Sequence, residues 1–315
     1  MPEAITERDT PEAPRIAGRS LWQISWLRLR RDRVAMTGGV IVLLYFVMAI
    51  AAPLLARLEG QDPYTYHIGL LNGDAGGAPN GALGGISGTH WFGVEPTTGR
   101  DLFAVVVYGA RTSFLIGIAA TFLAVGLGTA TGLVAAYFGG WVDTVLGRFM
   151  DVMFGFPALI FMISLGILAP PSFPRPLLLI LVIGFFGFPY FGRVIRGQTL
   201  SLIRREFVDA ARSLGAGAGH IIVKQLLPNL LAPIIVFATL TIPGMIGAEA
   251  SLSFLGVGIP PPTPDWGRAI NDAVDWFQTD LMYLLFPGGA LFLAVLAFNL
   301  FGDGLRDAFD PRSGR

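Results

Sequence analysis

Six long runs in this chain, at 34–56, 112–138, 152–169, 176–192, 230–248 and 281–302, contain no charged residue at all. A hydrocarbon core about 30 Å thick is crossed by about 20 apolar residues in a helix, so each run is read as a membrane span. The composition agrees, since 53% of the residues are hydrophobic and only 14% are charged. A soluble domain carries about 25% charged residues. The fold class expected is therefore all-α and integral to the membrane, with about six transmembrane helices. The run at 176–192 is the shortest, contains Pro189, and is expected to be tilted or broken.

Formal net charge is zero, so the chain has no global attraction to nucleic acid, and the informative charge lies in its distribution. Arg8, Arg15, Arg19, Arg28, Arg30, Arg31 and Arg33 precede the first run, and Arg193, Arg196, Arg204, Arg205, Arg212 and Lys224 follow the fourth. With Arg148, Arg306, Arg312 and Arg315, these make 17 of the 22 basic residues that fall on one side of a six-span topology. The positive-inside rule makes that side cytoplasmic and places both termini there. About thirty residues, with many polar and arginine side chains among them, precede the first run, too many for a cleavable signal, so 34–56 is read as a retained span.

Two loops then lie outside. The first, 57–111, carries a glycine-rich insert at 69–88 that reads as flexible linker. The second, 249–280, is rich in proline and acid, with Asp265, Asp272, Asp275 and Asp280 against Arg268. Within the spans, Gly128 and Gly132 are spaced as a small-xxx-small face on which another helix can approach closely.

The most informative stretch is 204–228, RREFVDAARSLGAGAGHIIVKQLLP, on the cytoplasmic side between the fourth and fifth spans. It reads as two short helices joined at Gly215. Phe207, Ala210, Ala211 and Leu214 recur at i, i+3, i+4 and i+7 as an apolar stripe, with Arg205, Glu206, Asp209 and Arg212 on the other face. Gly215 fits the left-handed position that ends a helix. Ala218, Ile221, Ile222, Gln225 and Leu226 form a second stripe, and Pro228 falls where the fifth span begins. Periodicity alone leaves two readings of this hairpin, a helix lying on lipid or one seated in a groove of another protein.

Some chemistries are excluded by the sequence. The chain has no cysteine, hence no disulfide or thiolate. A nucleotide-binding Gly-Lys pair is missing, because the single lysine, Lys224, follows Val223. Gly85-Ile86-Ser87-Gly88 matches a serine-hydrolase pattern, but His67, His90 and His220 all lie outside the spans, which leaves no buried dyad. The same histidines are too scattered in sequence for a metal site at helix spacing. An ion-coupled carrier, the alternative of another class, keeps ionisable groups at mid-membrane depth, and the six runs hold none. Asp151 is read as an i,i+3 partner of Arg148.

Asp209-Ala210-Ala211, three residues, Gly215, then Leu227-Pro228 resembles the EAA loop of ABC importer permeases, with Asp209 in place of the signature's Glu and Gln225 in place of an aliphatic residue. The resemblance runs from about Trp22 to Arg312 and is specific to the C-type permease of dipeptide, oligopeptide and nickel importers. It is carried by Asp62-Pro63-Tyr64, His90-Trp91-Phe92-Gly93, Gly99-Arg100-Asp101-Leu102 and Tyr108-Gly109-Ala110-Arg111. Glu249-Ala250-Ser251-Leu252-Ser253-Phe254-Leu255-Gly256, Pro261-Pro262-Thr263-Pro264 and Asn299-Leu300-Phe301-Gly302-Asp303-Gly304-Leu305-Arg306-Asp307 extend it.

This resemblance implies a type I ABC importer permease fold in the cytoplasmic (inner) membrane. The implied division is a tail at 1–33, the first helix and long loop at 34–111, a five-helix core at 112–303 with its coupling hairpin at 204–228, and a tail at 304–315. The implied cargo is di- and oligopeptides, with nickel chelates, glutathione or oligosaccharides as alternatives. The implied partners are a homologous B-type permease, two ABC ATPase subunits that bind the ATP, and an extracytoplasmic peptide-binding protein. The chain itself is implied to hold no cofactor and to be no enzyme. Glu206, Phe207, Asp209, Ala210, Ala211, Leu214, Gly215, Leu227 and Pro228 would form the ATPase seat. Glu249, Ser251 and Phe254 would belong to an external gate. Arg100 and Asp101 stand at the external mouth, either as contacts for the binding protein or as the cap of the second span.

Overall fold

The computed structural model describes residues 21–309 of the chain. The terminal arginines Arg8, Arg15, Arg19, Arg312 and Arg315 lie outside the described residues. A short helix α1 (Leu21–Leu29) precedes α2 (Arg33–Glu59), whose start is set by Asp32, the side chain of which accepts from the amides of Val34 and Ala35. Then come α3 (Leu102–Phe138), α4 (Gly140–Gly155), α5 (Ala158–Leu168), α6 (Arg175–Leu202) and α7 (Glu206–Ser213). The short α8 (Ala218–His220) runs through a π-helical segment (Ile221–Leu226) into α9 (Leu227–Phe254), and α10 (Trp266–Val274) and α11 (Leu281–Phe309) complete the chain.

Among the described residues, five helices are long and apolar enough to cross a membrane: α2, α3, α6, α11 and the continuous α8–α9. The chain is an all-α integral membrane protein, and the remaining run of the sequence reading, 152–169, falls on the pair α4 and α5, bent by 83°. The run at 152–169 is thus not one straight helix. Pro157 has no amide to donate and pushes Phe156 into extended backbone, so the helix ends at Gly155 and restarts at Ala158. By contrast 176–192, expected to be tilted or broken, is part of an unbroken 28-residue helix that contains Pro189. The domain boundaries at 111/112 and 303/304 fall inside α3 and α11. At 37 residues α3 is about 55 Å long, well beyond the thickness of a hydrocarbon core.

Lipid tails are as apolar as leucine, so association of these helices rests on close packing more than on burial. The most extensive contact is α3 with α6. Gly128 and Gly132 make it possible: a Cβ on Gly128 would lie 2.8 Å from the Phe188 carbonyl oxygen, and one on Gly132 would lie 2.5 Å from that of Gly192. A second core joins α2, α3, α10 and α11 around buried Trp266, whose ring meets Tyr45 and Phe114 edge-on and whose Nε1 donates to the Val106 carbonyl at 2.8 Å.

The glycine-rich insert is not a linker. Leu71–Asn72 (β1) pairs antiparallel with Ala78–Pro79 (β2), and single turns flank the pair. The loop is tied down by backbone bonds from Asn80 to Leu70, from Thr97 to Gly77 and from Val94 to Gly84. Its glycines serve geometry: Gly84, at φ +74°, lies against the Asp280 carboxylate, where a Cβ would come within 2.6 Å of Oδ2.

Candidate functional site

The residues singled out from sequence fall at two opposite ends of the helix bundle. At one end α7 joins α6 to α8; at the other the long loop, α10 and the start of α11 meet.

At the α7 end, Gly215 has φ +80°. Its amide donates to the Arg212 carbonyl and that of Ala216 to the Ala211 carbonyl, the paired bonds of a Schellman motif, which stops α7 at Ser213. Glu206 and Asp209 are exposed in the first turn, where their charge suits the helix N-terminus. The Asp209–Arg212 pair, at 3.4 Å between largely exposed side chains, contributes little.

The buried face of α7 differs from the predicted stripe. Val208 and Ala211 point inward, Val208 with no exposure at all, against Leu133, Ile195, Ile221 and Leu226. Of the stripe read from sequence only Ala211 is buried; Phe207 is half-buried, Ala210 is exposed, and Leu214 is 88% exposed. Two apolar faces exist on one eight-residue helix, and Val208, the residue that pins it, was missed. Its only signal was the i,i+3 spacing to Ala211, which the longer stripe obscured.

The outer face borders a depression of about 540 Å³ lined by Phe207, Ala210, Leu214, Gly215, His220 and Gln225. The second arm of the expected hairpin is no separate helix. It continues through the π-helical segment into α9, with Leu227 half-buried and Pro228 exposed.

Near this end α4 is clasped to α6. Arg196 Nη2 donates to Asp143 Oδ2 at 2.6 Å, and Arg193 pairs with Asp151 while lying 4.2 Å over the Phe154 ring. Arg148, the predicted partner of Asp151, lies 3.9 Å away and is 80% exposed. Sequence spacing favours the local arginine, whereas the 83° bend beyond α4 and the length of α6 bring the distant ones into place.

At the other end Asp101 caps α3, accepting from the Ala104 amide at 2.7 Å and lying 2.8 Å from His90 Nδ1. It is fully buried, and burial pushes its carboxyl up to about 6. Burial likewise lowers His90. His67 and His90, far apart in sequence, meet edge to face at 5.1 Å.

Arg100 is only 4% exposed. Its Nε and Nη2 donate to Glu95 at 2.6 and 2.9 Å, and Nη1 donates to the Pro262 carbonyl at 2.9 Å. Of the two readings for this pair, the cap describes Asp101. Both side chains are buried in the chain and bind the loop to α3 and to the segment before α10.

The proposed gate residues are not one constellation. Glu249 is fully buried, accepts from Ser253 at 3.0 Å, and faces Asp265 and Ser113 inside the chain. Ser251 is exposed with its hydroxyl bonded to the Gly247 carbonyl, and Phe254 is 37% exposed. Helical geometry explains the split, since 249 and 253 share a face that 251 does not. Ser253, Asp265 and Ser113 are the neighbours of Glu249, and of these only Ser113 was not singled out from sequence.

Comparison with known proteins adds the following. The family described as binding-protein-dependent transport system inner membrane component matches residues 128–315, and the N-terminal TM domain of oligopeptide transport permease C matches residues 20–75. The chain is 38% identical over 293 residues to the dipeptide transport system permease protein of Alkalihalophilus pseudofirmus, covering 93% of this chain and 90% of that one. It is 39% identical over 294 residues to the glutathione transport system permease proteins of Escherichia coli and Shigella boydii, covering 93% of this chain and 91% of each.

Proposed function

This chain belongs to the family of binding-protein-dependent transport system inner membrane components, and on that premise we propose that it forms half of the translocation pore of an ATP-driven importer of di- and oligopeptides. Relatives named for dipeptide and for glutathione transport support a cargo with a peptide backbone, glutathione among them.

The observation that carries the proposal is the outer face of α7. A helix pinned from behind by Val208 presents Ala210 and Leu214 uncovered and Phe207 half-covered, beside an open depression. An apolar side chain as exposed as Leu214 on a helix held in place by a Schellman stop is suited to a groove in a partner. The partner is an ABC ATPase subunit, one of two, with Glu206 and Asp209 at the rim of the contact and Gly215, Leu227 and Pro228 setting the angle at which the hairpin leaves the pore helices. Closure of the ATPases on ATP moves α7, and the continuous α8–α9 carries the displacement into the membrane. A B-type permease supplies the other half of the pore. A peptide-binding protein delivers cargo to the end formed by the long loop and α10.

In this topology the bent pair α4 and α5 makes one crossing, both termini lie in the cytoplasm, and α7 faces the ATPases. The absence of native cysteine offers a direct test. Leu214→Cys is expected to react with a membrane-impermeant maleimide in inside-out vesicles only, and Asp74→Cys in right-side-out cells only; the reverse pattern refutes the topology. Reconstituted with its partners, the complex is expected to accumulate labelled dipeptide only with ATP. Uphill uptake sustained after ATP depletion refutes the proposal in favour of an ion-coupled carrier.

A further inference from the structure

On the topology just proposed, the end bearing the long loop faces outward, and the cavity there is open to arriving cargo. The cavity holds about 530 Å³, within the roughly 300–1,000 Å³ of small-ligand sites. It lies between the loop at 95–100, α10 and the first turn of α11, and its walls are charged.

Most of that charge is already paired. Arg100 is held by both oxygens of Glu95, and Arg268 Nε lies 3.4 Å from Asp272 Oδ2. One acid remains over. The carboxylate of Asp275 is exposed and has no hydrogen bond or ion pair among the described residues. The charged side chains lining the cavity, Glu95, Asp272 and Asp275 against Arg100 and Arg268, leave one net negative charge.

A second observation is independent of that count. Tyr283 is 3% exposed, yet it lines this cavity, and its hydroxyl has no hydrogen-bond partner among the described residues. Glu95, Arg100, Arg268 and Asp272, which form the two ion pairs, line the same cavity as Tyr283. The hydroxyl oxygen itself is not enclosed by the protein, so it is open to a partner in the cavity that Tyr283 lines. Trp276 adds an aromatic wall beside the free acid.

We infer that this cavity receives a primary ammonium group carried next to a carbonyl, the chemistry of a peptide's amino terminus. Asp275 pairs with the ammonium, and Tyr283 donates to the carbonyl oxygen. The inference rests on the peptide reading and sharpens it: the permease reads the free amino end of its cargo before the pore does.

The test is titration of the assembled transporter in nanodiscs, without ATP or binding protein, with three probes: alanyl-alanine, N-acetyl-alanyl-alanine and Nα-acetyl-lysine amide. Alanyl-alanine is expected to bind, and acetylation to weaken binding at least tenfold. The lysine probe, which has an ammonium without the adjacent carbonyl, is also expected to bind at least fivefold more weakly. Asp275→Asn is expected to cost about tenfold for alanyl-alanine and nothing for the acetylated probe, and Tyr283→Phe about fivefold, the size of one neutral hydrogen bond.

Equal binding of the free and acetylated peptides overturns the inference, as does unchanged affinity in Asp275→Asn. Lysine probe binding equal to that of the dipeptide also overturns it, because the site then reads an ammonium alone, as on a docked protein. ATP-driven uptake is measured alongside. Uptake without cavity binding removes this inference and leaves the permease reading intact; binding at the stated ratios supports the inference whatever the uptake.

Discussion

Gly132→Ala offers the sharpest check on how the pore helices are held. The added Cβ would lie 2.5 Å from the carbonyl oxygen of Gly192 and 2.9 Å from the amide nitrogen of Arg196, both of them backbone atoms of α6 that no rotamer change can move aside. Heavy atoms settle at about 3.5 Å, so α6 must retreat by about 0.5–1 Å along the whole contact. Overpacking of this kind costs about 1–3 kcal/mol.

Alanine also favours helix over glycine by up to about 1 kcal/mol, which offsets part of the loss. Gly126→Ala isolates that gain. Gly126 lies on the exposed side of the same helix, with nothing within 4 Å of its Cβ. The pair of variants shares the propensity gain and differs only in the close approach. Measured by equilibrium unfolding of the purified protein in mixed micelles, Gly132→Ala is expected to be less stable than Gly126→Ala by about 1–3 kcal/mol. The clasp from Arg196 to Asp143 moves with α6, so the loosened variant is also expected to hold α4 less firmly. Two variants that unfold within about 0.5 kcal/mol of each other would refute the close-packed account of the α3–α6 contact.

Two further outcomes follow from the site geometry. Leu214→Asp is expected to leave the stability of the isolated chain unchanged, because the side chain is 88% exposed, while weakening association with the ATPase subunits by tenfold or more in detergent pull-downs, since burying a leucine is worth about 1.5–3 kcal/mol; undiminished association would return α7 to the lipid-surface reading. Burial raises Asp101 from 3.8 to about 6, so the folded state keeps a proton that the unfolded chain has already lost, and the stability this contributes is full below about 3.8 and gone by about pH 6. Unfolding measured from pH 4 to 6 is expected to show stability falling more steeply in the wild type than in Asp101→Asn, and equal slopes would refute that assignment.

Features that depend on a few neighbouring residues were legible in the sequence. Charge-free runs of span length mark the membrane helices because the bilayer tests every residue of a crossing independently of its partners. The stop at Gly215 was legible for the same reason: a Schellman motif is closed by bonds among residues 211 to 216, and glycine alone takes that φ without strain. Motif order along the chain identified the family, and matches over residues 20–75 and 128–315 place it there.

Tertiary structure decided whatever depends on which residues meet from afar. The burial of Arg100 and Asp101 comes from Glu95, His90 and Pro262 converging on them, and no local pattern distinguishes a buried ion pair from an exposed one. Periodicity defined an apolar stripe on α7 but not which of its two apolar faces α6 and α9 would cover. The glycine-rich insert reads as linker by composition and folds because the backbone bonds of its turns and the packing against Asp280 hold it. Local chemistry thus set where helices begin, end and cross the membrane, while the surroundings of Arg100 and of the arginines of α6 were set by packing between segments distant in sequence, 162 residues apart for Arg100 and Pro262 and 53 for Arg196 and Asp143.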